Sequence, residues 1–130
     1  MSYCDDLMSS DRRRVLVVED VRDSAETLAV MLRLMGHEVE FVTDPLEALE
    51  VAKRLRPQLI FLDIGMPKLD GYALASKLRE EFGFESVRLV ALTAWGRAED
   101  RAKAREAGFD AHVLKPAEPA ILESILKTLQ

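Results

Sequence analysis

Glu19, Asp20, Asp63, Thr93 and Lys115 each stand at the carboxyl end of a short apolar run. Taken singly, none demands a function. An acid at such a place is often a helix cap or a solvated turn, a threonine there is usually structural, and a lysine before Pro116 usually lies on the surface. Brought together, they describe chemistry. Three carboxylates within a few ångströms of one another repel and raise each other's pKa values unless a cation sits among them. Oxygen-only donors suit a hard ion, and Mg²⁺ takes a few carboxylates while keeping several waters. Such an ion would let a carboxylate meet an anionic phosphoryl group. Lys115 would hold a phosphate oxygen as a point charge, and Thr93 would offer its hydroxyl to another. Phosphoryl transfer needs little beyond positioning and charge neutralisation.

The runs must first be brought to one edge. Leu59-Ile60-Phe61-Leu62-Asp63 lies between Pro57 and Gly65, with Pro67 beyond, and reads as a strand buried on both faces. Strands of that kind belong to parallel sheets covered by helices. Residues 15–18, 39–42, 88–93 and 111–115 are the other strands. Helical spacing fills the intervals. Asp23 with Glu26 has the form of a capping box, followed by Ala25, Leu28, Ala29, Leu32 and Met35, and Gly36 stops the helix. Thr43-Asp44-Pro45 opens a second helix burying Ala48, Leu49, Ala52 and Leu55. After the loop 64–70, a third helix over roughly 71–81 buries Leu74, Ala75 and Leu78.

A fourth helix, about 98–107, offers mainly Ala98, Ala102, Ala104 and Ala107, so it should be the least firmly held. Gly108 ends it. Pro119 opens a last helix with the apolar stripe Ile121, Leu122, Ile125, Leu126 and Leu129. Five alternations with short connections predict an α/β fold, a five-stranded parallel sheet doubly wound with five helices. In such sheets ligands collect at the carboxyl ends of the strands.

The chain has 130 residues, enough for one domain with a substantial core. Residues 1–11 read as a flexible amino-terminal tail and 12–130 as the domain. With 23 acidic and 18 basic side chains the net charge is −5, which leaves no basic footprint for direct nucleic-acid binding. The three arginines at 12–14 read as a solvated strand entrance. The single cysteine, Cys4, excludes an internal disulfide. The acidic tail is unlike a signal peptide and no apolar stretch approaches a membrane span, so the expected location is cytoplasmic, without a membrane partner.

The motifs Val-Leu-Val-Val-Glu-Asp (15–20), Leu-Asp-Ile-Gly-Met-Pro-Lys-Leu-Asp-Gly (62–71), Ala-Leu-Thr-Ala (91–94) and Val-Leu-Lys-Pro (113–116) follow one another in an order and spacing that resembles the CheY-like receiver domain of two-component response regulators. The resemblance spans residues 14–129. It implies that Asp63 is the phosphoacceptor, that Asp20 binds Mg²⁺ directly and Glu19 through water, and that the backbone carbonyl of Gly65 is a further ligand. Thr93 and Lys115 would contact the acyl phosphate, Ala94 would belong to the same switch set, and the bond from Lys115 to Pro116 would be cis. Its partners would be a histidine kinase or histidine phosphotransfer protein and a downstream protein. The domain would be a phosphoacceptor that assists its own phosphorylation and dephosphorylation, rather than an enzyme, and would stand free or form part of a hybrid kinase.

Three departures from that pattern stand out. Glu19 replaces a common aspartate. Gly65, two positions past Asp63, has no side chain to shield or aid a hydrolytic water. His112, three before Lys115, replaces the usual aromatic residue that turns inward with the threonine; it is either such a switch residue, titrating near neutrality, or an exposed histidine on a strand edge. The weakly anchored fourth helix is a candidate two-state element, moved together with the loop 94–97 to alter the surface of that helix, the fifth strand and the fifth helix. Trp95 in that loop is either a partner contact or a packed side chain. Other readings are a haloacid-dehalogenase-like phosphatase, which would need a second aspartate where Gly65 stands, a flavodoxin-like cofactor binder, which the acidic 19–23 loop disfavours, and a docking module that is never phosphorylated.

Overall fold

The computed structural model describes residues 12–65, 71–83, 87–94 and 98–129. Its elements are β1 (Arg14–Val18), α1 (Arg22–Leu34), β2 (Glu38–Val42), a 3₁₀ turn (Pro45–Glu47), α2 (Ala48–Leu55), β3 (Leu59–Asp63), α3 (Gly71–Phe82), β4 (Arg88–Thr93), α4 (Ala98–Ala107), β5 (Ala111–Leu114) and α5 (Pro119–Thr128). The strands form one parallel sheet in the order β2-β1-β3-β4-β5. The expected fold class is therefore the observed one. The tail with Cys4, the motif residues 66–70 and Trp95 lie outside the described residues.

Side chains alternate across the pleat, and each face takes its own helices. Val15, Val17, Leu59, Phe61, Val90, Leu92 and Val113 point toward α1 and α5, where they meet Ala25, Leu28, Leu32, Leu122 and Leu126. Leu16, Val18, Ile60, Leu62, Leu89 and Ala91 point toward α2, α3 and α4, against Ala52, Leu74, Leu78 and Ala104. The central strands are buried on both sides, which is why they read as unbroken apolar runs.

Several local expectations are corrected. Helix α1 begins at Arg22 behind Val21, with no side-chain cap, so Asp23 and Glu26 do not form a capping box. Glu26 instead accepts from Arg22 Nε at 3.1 Å, one turn back. Asp44 does cap its turn, accepting from Leu46 N at 3.0 Å. Helix α2 ends on Arg56 in the left-handed region at φ 53°.

In α4, Ala104 is buried and Ala107 half-buried, but Ala102 is exposed; the Ala98 side chain is not described. Residues two apart on a helix are turned by about 200°, so Ala102 and Ala104 cannot share a buried face. In α5, Leu122 and Leu126 are buried while Ile121 is 47% exposed, because the apolar stripe is wider than the contact with the sheet. β5 stops at Leu114, and Lys115 follows it.

Candidate functional site

The strand order reverses between β1 and β3, and the crevice at their carboxyl ends is where such sheets hold ligands. Asp63 ends β3 with 5% exposure. Its Oδ1 accepts from Gly65 N at 2.8 Å, and its Oδ2 accepts from Lys115 Nζ at 2.8 Å. Glu19, 1% exposed, follows β1: its backbone N–H donates to Val42 O at 3.1 Å, prolonging the ladder, and its Oε1 accepts from Val21 N. Its Oε2 lies 2.5 Å from Lys115 Nζ, buried and without a hydrogen bond of good geometry. Lys115 is placed by its own N–H, which donates to Thr93 O at 2.8 Å, and the Lys115-Pro116 bond is cis.

The pleat explains the convergence. Glu19, Asp63 and Lys115 continue the alternation of Val17, Phe61 and Val113, so they extend on the α1/α5 side. Thr93, 3% exposed, continues that of Leu89 and Ala91 and comes from the α4 side. Asp20, Asp63, Gly65, Thr93, Ala94 and Lys115 all line one cavity of about 520 Å³. Glu19 lies beside it.

Tyr72, near the start of α3, also lines that cavity, which the strand-end reading did not anticipate. The one hint in the sequence was its place just after Gly71. That glycine is needed where it is: a Cβ there would come within 2.6 Å of Ile64 Cα, so α3 lies hard against the loop after β3.

Carboxylate oxygens from Glu19, Asp20 and Asp63 all lie within 4.8 Å of one another. Burial pushes the Glu19 carboxyl above its ordinary value, Lys115 opposes that, and Asp63 adds to it. Burial pulls Lys115 down, but its bonds to Asp63 and Glu19 more than reverse this, and the ammonium is held charged. One ammonium thus serves two buried acids, and Asp20 adds a third carboxylate. This oxygen-only donor set, three carboxylates around a single ammonium, fits a hard divalent cation.

His112 stands apart from the cavity. It is half-buried on β5, paired with Ala91 on the side that faces α4, and its pKa is lowered by burial and then by the charge of Arg101. Pro116 borders a second groove against α1, which Glu19 and Lys115 also line. Among the described residues, no helix is long and apolar enough to cross a membrane.

Solved structures share this architecture. A CheY-like response regulator receiver domain protein from Methanospirillum hungatei superposes with a TM-score of 0.80 at 26% identity, covering 90% of this chain and 93% of that one. For the chemotaxis protein CheY4 of Vibrio cholerae the TM-score is 0.84 at 26% identity, with 90% and 98% covered. The response regulator Rre1 of Synechocystis is 35% identical over 116 residues, 88% of this chain and 50% of Rre1. A protein named "probable transcriptional regulator ycf27" in Cyanophora paradoxa is 36% identical over 122 residues, 94% of this chain and 50% of that protein. The chain thus spans about half the length of these curated relatives. Residues 15–127 match the response regulator receiver domain, and the chain belongs to that family of two-component signalling domains.

Proposed function

We propose that Asp63 accepts a phosphoryl group from a phosphohistidine on a histidine kinase or phosphotransfer protein, and that the resulting acyl phosphate switches a partner-binding surface. The observation that carries this reading is the arrangement about Asp63: its carboxylate is buried, fixed by Gly65 N on one oxygen and contacted by Lys115 Nζ on the other. An Asp63 oxygen bonds to phosphorus as the bond from phosphorus to the donor nitrogen breaks; the donor ring, protonated on its second nitrogen, takes the electron pair and leaves as neutral imidazole. Lys115 then moves its ammonium from the free carboxylate to a phosphoryl oxygen, and Thr93 offers its hydroxyl to another.

Glu19, Asp20, Asp63 and the Gly65 carbonyl would hold Mg²⁺. When bound, it supplies charge neutralisation between carboxylate and phosphoryl oxygens. Asp20 would contact the ion directly and Glu19 through water. Gly65 adds no side chain at the mouth, so the phosphoryl group is open to water there. The chain assists the loss of its own phosphoryl group in the same way, and acts on no separate substrate. On the output side, Thr93 draws the segment that follows it, with Ala94, toward the phosphate. α4 shifts against β5 and α5, and His112 is the β5 side chain facing that shift.

The test is intact mass after incubation with acetyl phosphate and Mg²⁺. A single phosphoryl adduct is expected on the native chain, with none on Asp63→Asn and none when EDTA is present during the reaction. A purified histidine kinase carrying phosphohistidine serves as the second donor. No adduct from either donor refutes the phosphoacceptor role.

A further inference from the structure

Arg79 is a charged side chain buried where the site has no use for it. It lies in the last turn of α3, and its side chain is only 5% exposed. Its Nε donates to Gly108 O at 2.8 Å, its Nη1 to Gly83 O at 2.9 Å and to Val87 O at 2.5 Å, and its Nη2 to Asp110 Oδ2 at 2.5 Å. A buried guanidinium is tolerated only when its donors are matched in this manner. The partners come from the turn after α3, the entry to β4 and the turn between α4 and β5.

That last turn is fastened from other directions as well. Asp110 N donates to Leu89 O, and Asp110 Oδ2 accepts from Leu89 N, both at 2.8 Å. Phe109 N and Gly108 N close the end of α4 on Ala104 O and Arg105 O. Phe109 is buried and meets the Tyr72 ring edge-on at 6.5 Å between centroids. Gly108 has φ 105°, and a Cβ there would lie 2.7 Å from Arg79 Cγ. Arginine and glycine are therefore fitted to each other.

Midway along α4 the described side chains have no such fastening: Arg101, Ala102 and Lys103 are all exposed. The chain enters α4 from the Thr93 side, opposite the Arg79 cluster.

We propose that the Arg79 cluster makes the carboxyl end of α4 a fixed pivot about which its amino-terminal half moves when Thr93 engages phosphate. The motion depends on the phosphorylation described above; the asymmetric anchoring does not. A ten-residue helix is about 15 Å long, so a tilt of about 10° about that pivot carries its free end about 2–3 Å. The turn 108–110 and the Tyr72 contact stay in place.

Amide hydrogen exchange by NMR on the full chain separates the two claims. Without phosphate, amides of residues 108–110 and of Leu89 are expected to be protected at least tenfold more than those of 102 and 103. A flat profile along α4 overturns the pivot, whatever happens at Asp63. Arg79→Lys keeps the charge and loses the fork, and should speed exchange at 108–110 at least tenfold while leaving 102 and 103 within twofold. Asp110→Asn is the milder second variant, weakening the same contact while keeping an acceptor for Leu89 N. No selective effect in either variant overturns the role of Arg79. With the phosphoryl adduct verified by mass, changes should concentrate at 101–103; equal changes at 108–110 overturn the pivot. A missing adduct refutes the phosphorylation reading, and the profile of the unphosphorylated chain still decides the anchoring.

Discussion

Replacing Lys115 by methionine leaves the hydrocarbon stem and removes the charge that two buried acids share. Glu19 and Asp63 are 1% and 5% exposed, with Nζ at 2.5 and 2.8 Å from them. Removing one partner of a fully buried ion pair costs about 3–5 kcal/mol. The lysine side chain is 30% exposed, so solvent screens part of this, and about 2–3 kcal/mol is the expected loss near pH 7.5.

The dependence on conditions is more diagnostic than the size. Burial already raises the Glu19 carboxyl, and Lys115 opposes that rise. Without Lys115 the folded state holds the Glu19 proton more tightly than the unfolded chain does, so the variant gains stability as pH falls through that window. The deficit relative to the native chain should therefore shrink as pH is lowered from 7.5 toward 5. Mg²⁺ should also narrow the deficit at pH 7.5: with no ammonium competing for Glu19 and Asp63 the variant binds the cation more tightly than the native chain, and mass action then stabilises it by more. Urea unfolding of both proteins at the two pH values, with and without MgCl₂, measures all of this. A deficit indifferent to pH and to Mg²⁺ would refute the account of Lys115 as counter-charge to the acids.

His112 gives a second pH signature. Burial, then the Arg101 charge, hold its pKa below the ordinary 6.5, so the stability tied to its neutral form is present in full above that value and is lost as pH falls below it. His112→Phe should flatten the slope of stability against pH between about 6.5 and 5, read from urea titrations; equal slopes in both proteins contradict the assignment. Arg56 occupies a left-handed position at the end of α2, where only glycine is free of a side-chain penalty. Its contact with Arg14 Nε uses the backbone carbonyl, so Arg56→Gly should stabilise by roughly 0.5–1 kcal/mol, seen as a higher urea midpoint; a lower midpoint argues that the Arg56 side chain matters.

The strand ends were legible because two simple rules act together there. Apolar runs without alternation mark strands covered on both faces, and parallel strands deliver their ends to one edge. Hence Glu19, Asp20, Asp63, Thr93 and Lys115 could be grouped before any geometry was known. Helix starts were less legible: Asp44 caps as its Pro45 neighbour suggests, whereas Asp23 has a capping pattern that the chain does not use.

Arg79 was invisible for a different reason. In its helix it has the place of an ordinary charged residue, and its partners lie 4 to 31 positions away, most of them carbonyls that every residue has. Composition carries no trace of such a cluster. Gly71 and Gly108 were equally opaque, because close approach between segments is a property of the packed chain. Ala102 and Ile121 show the complementary limit: spacing locates an apolar stripe, but the width of the contact decides which residues are covered.

The alternation that sends Lys115 and Thr93 to the same cavity from opposite faces of the sheet also divides the ways the domain can be tuned. Side chains under α1 and α5, such as Phe61, Leu92 and Val113, support the acids and the ammonium, which under the proposed function would set how fast a phosphoryl group arrives and leaves. Side chains under α3 and α4, such as Leu89, Ala91 and Ala104, lie on the Thr93 side, where that event would be converted into a change of surface. Lifetime and amplitude can therefore drift independently in sequence, each under its own set of buried residues.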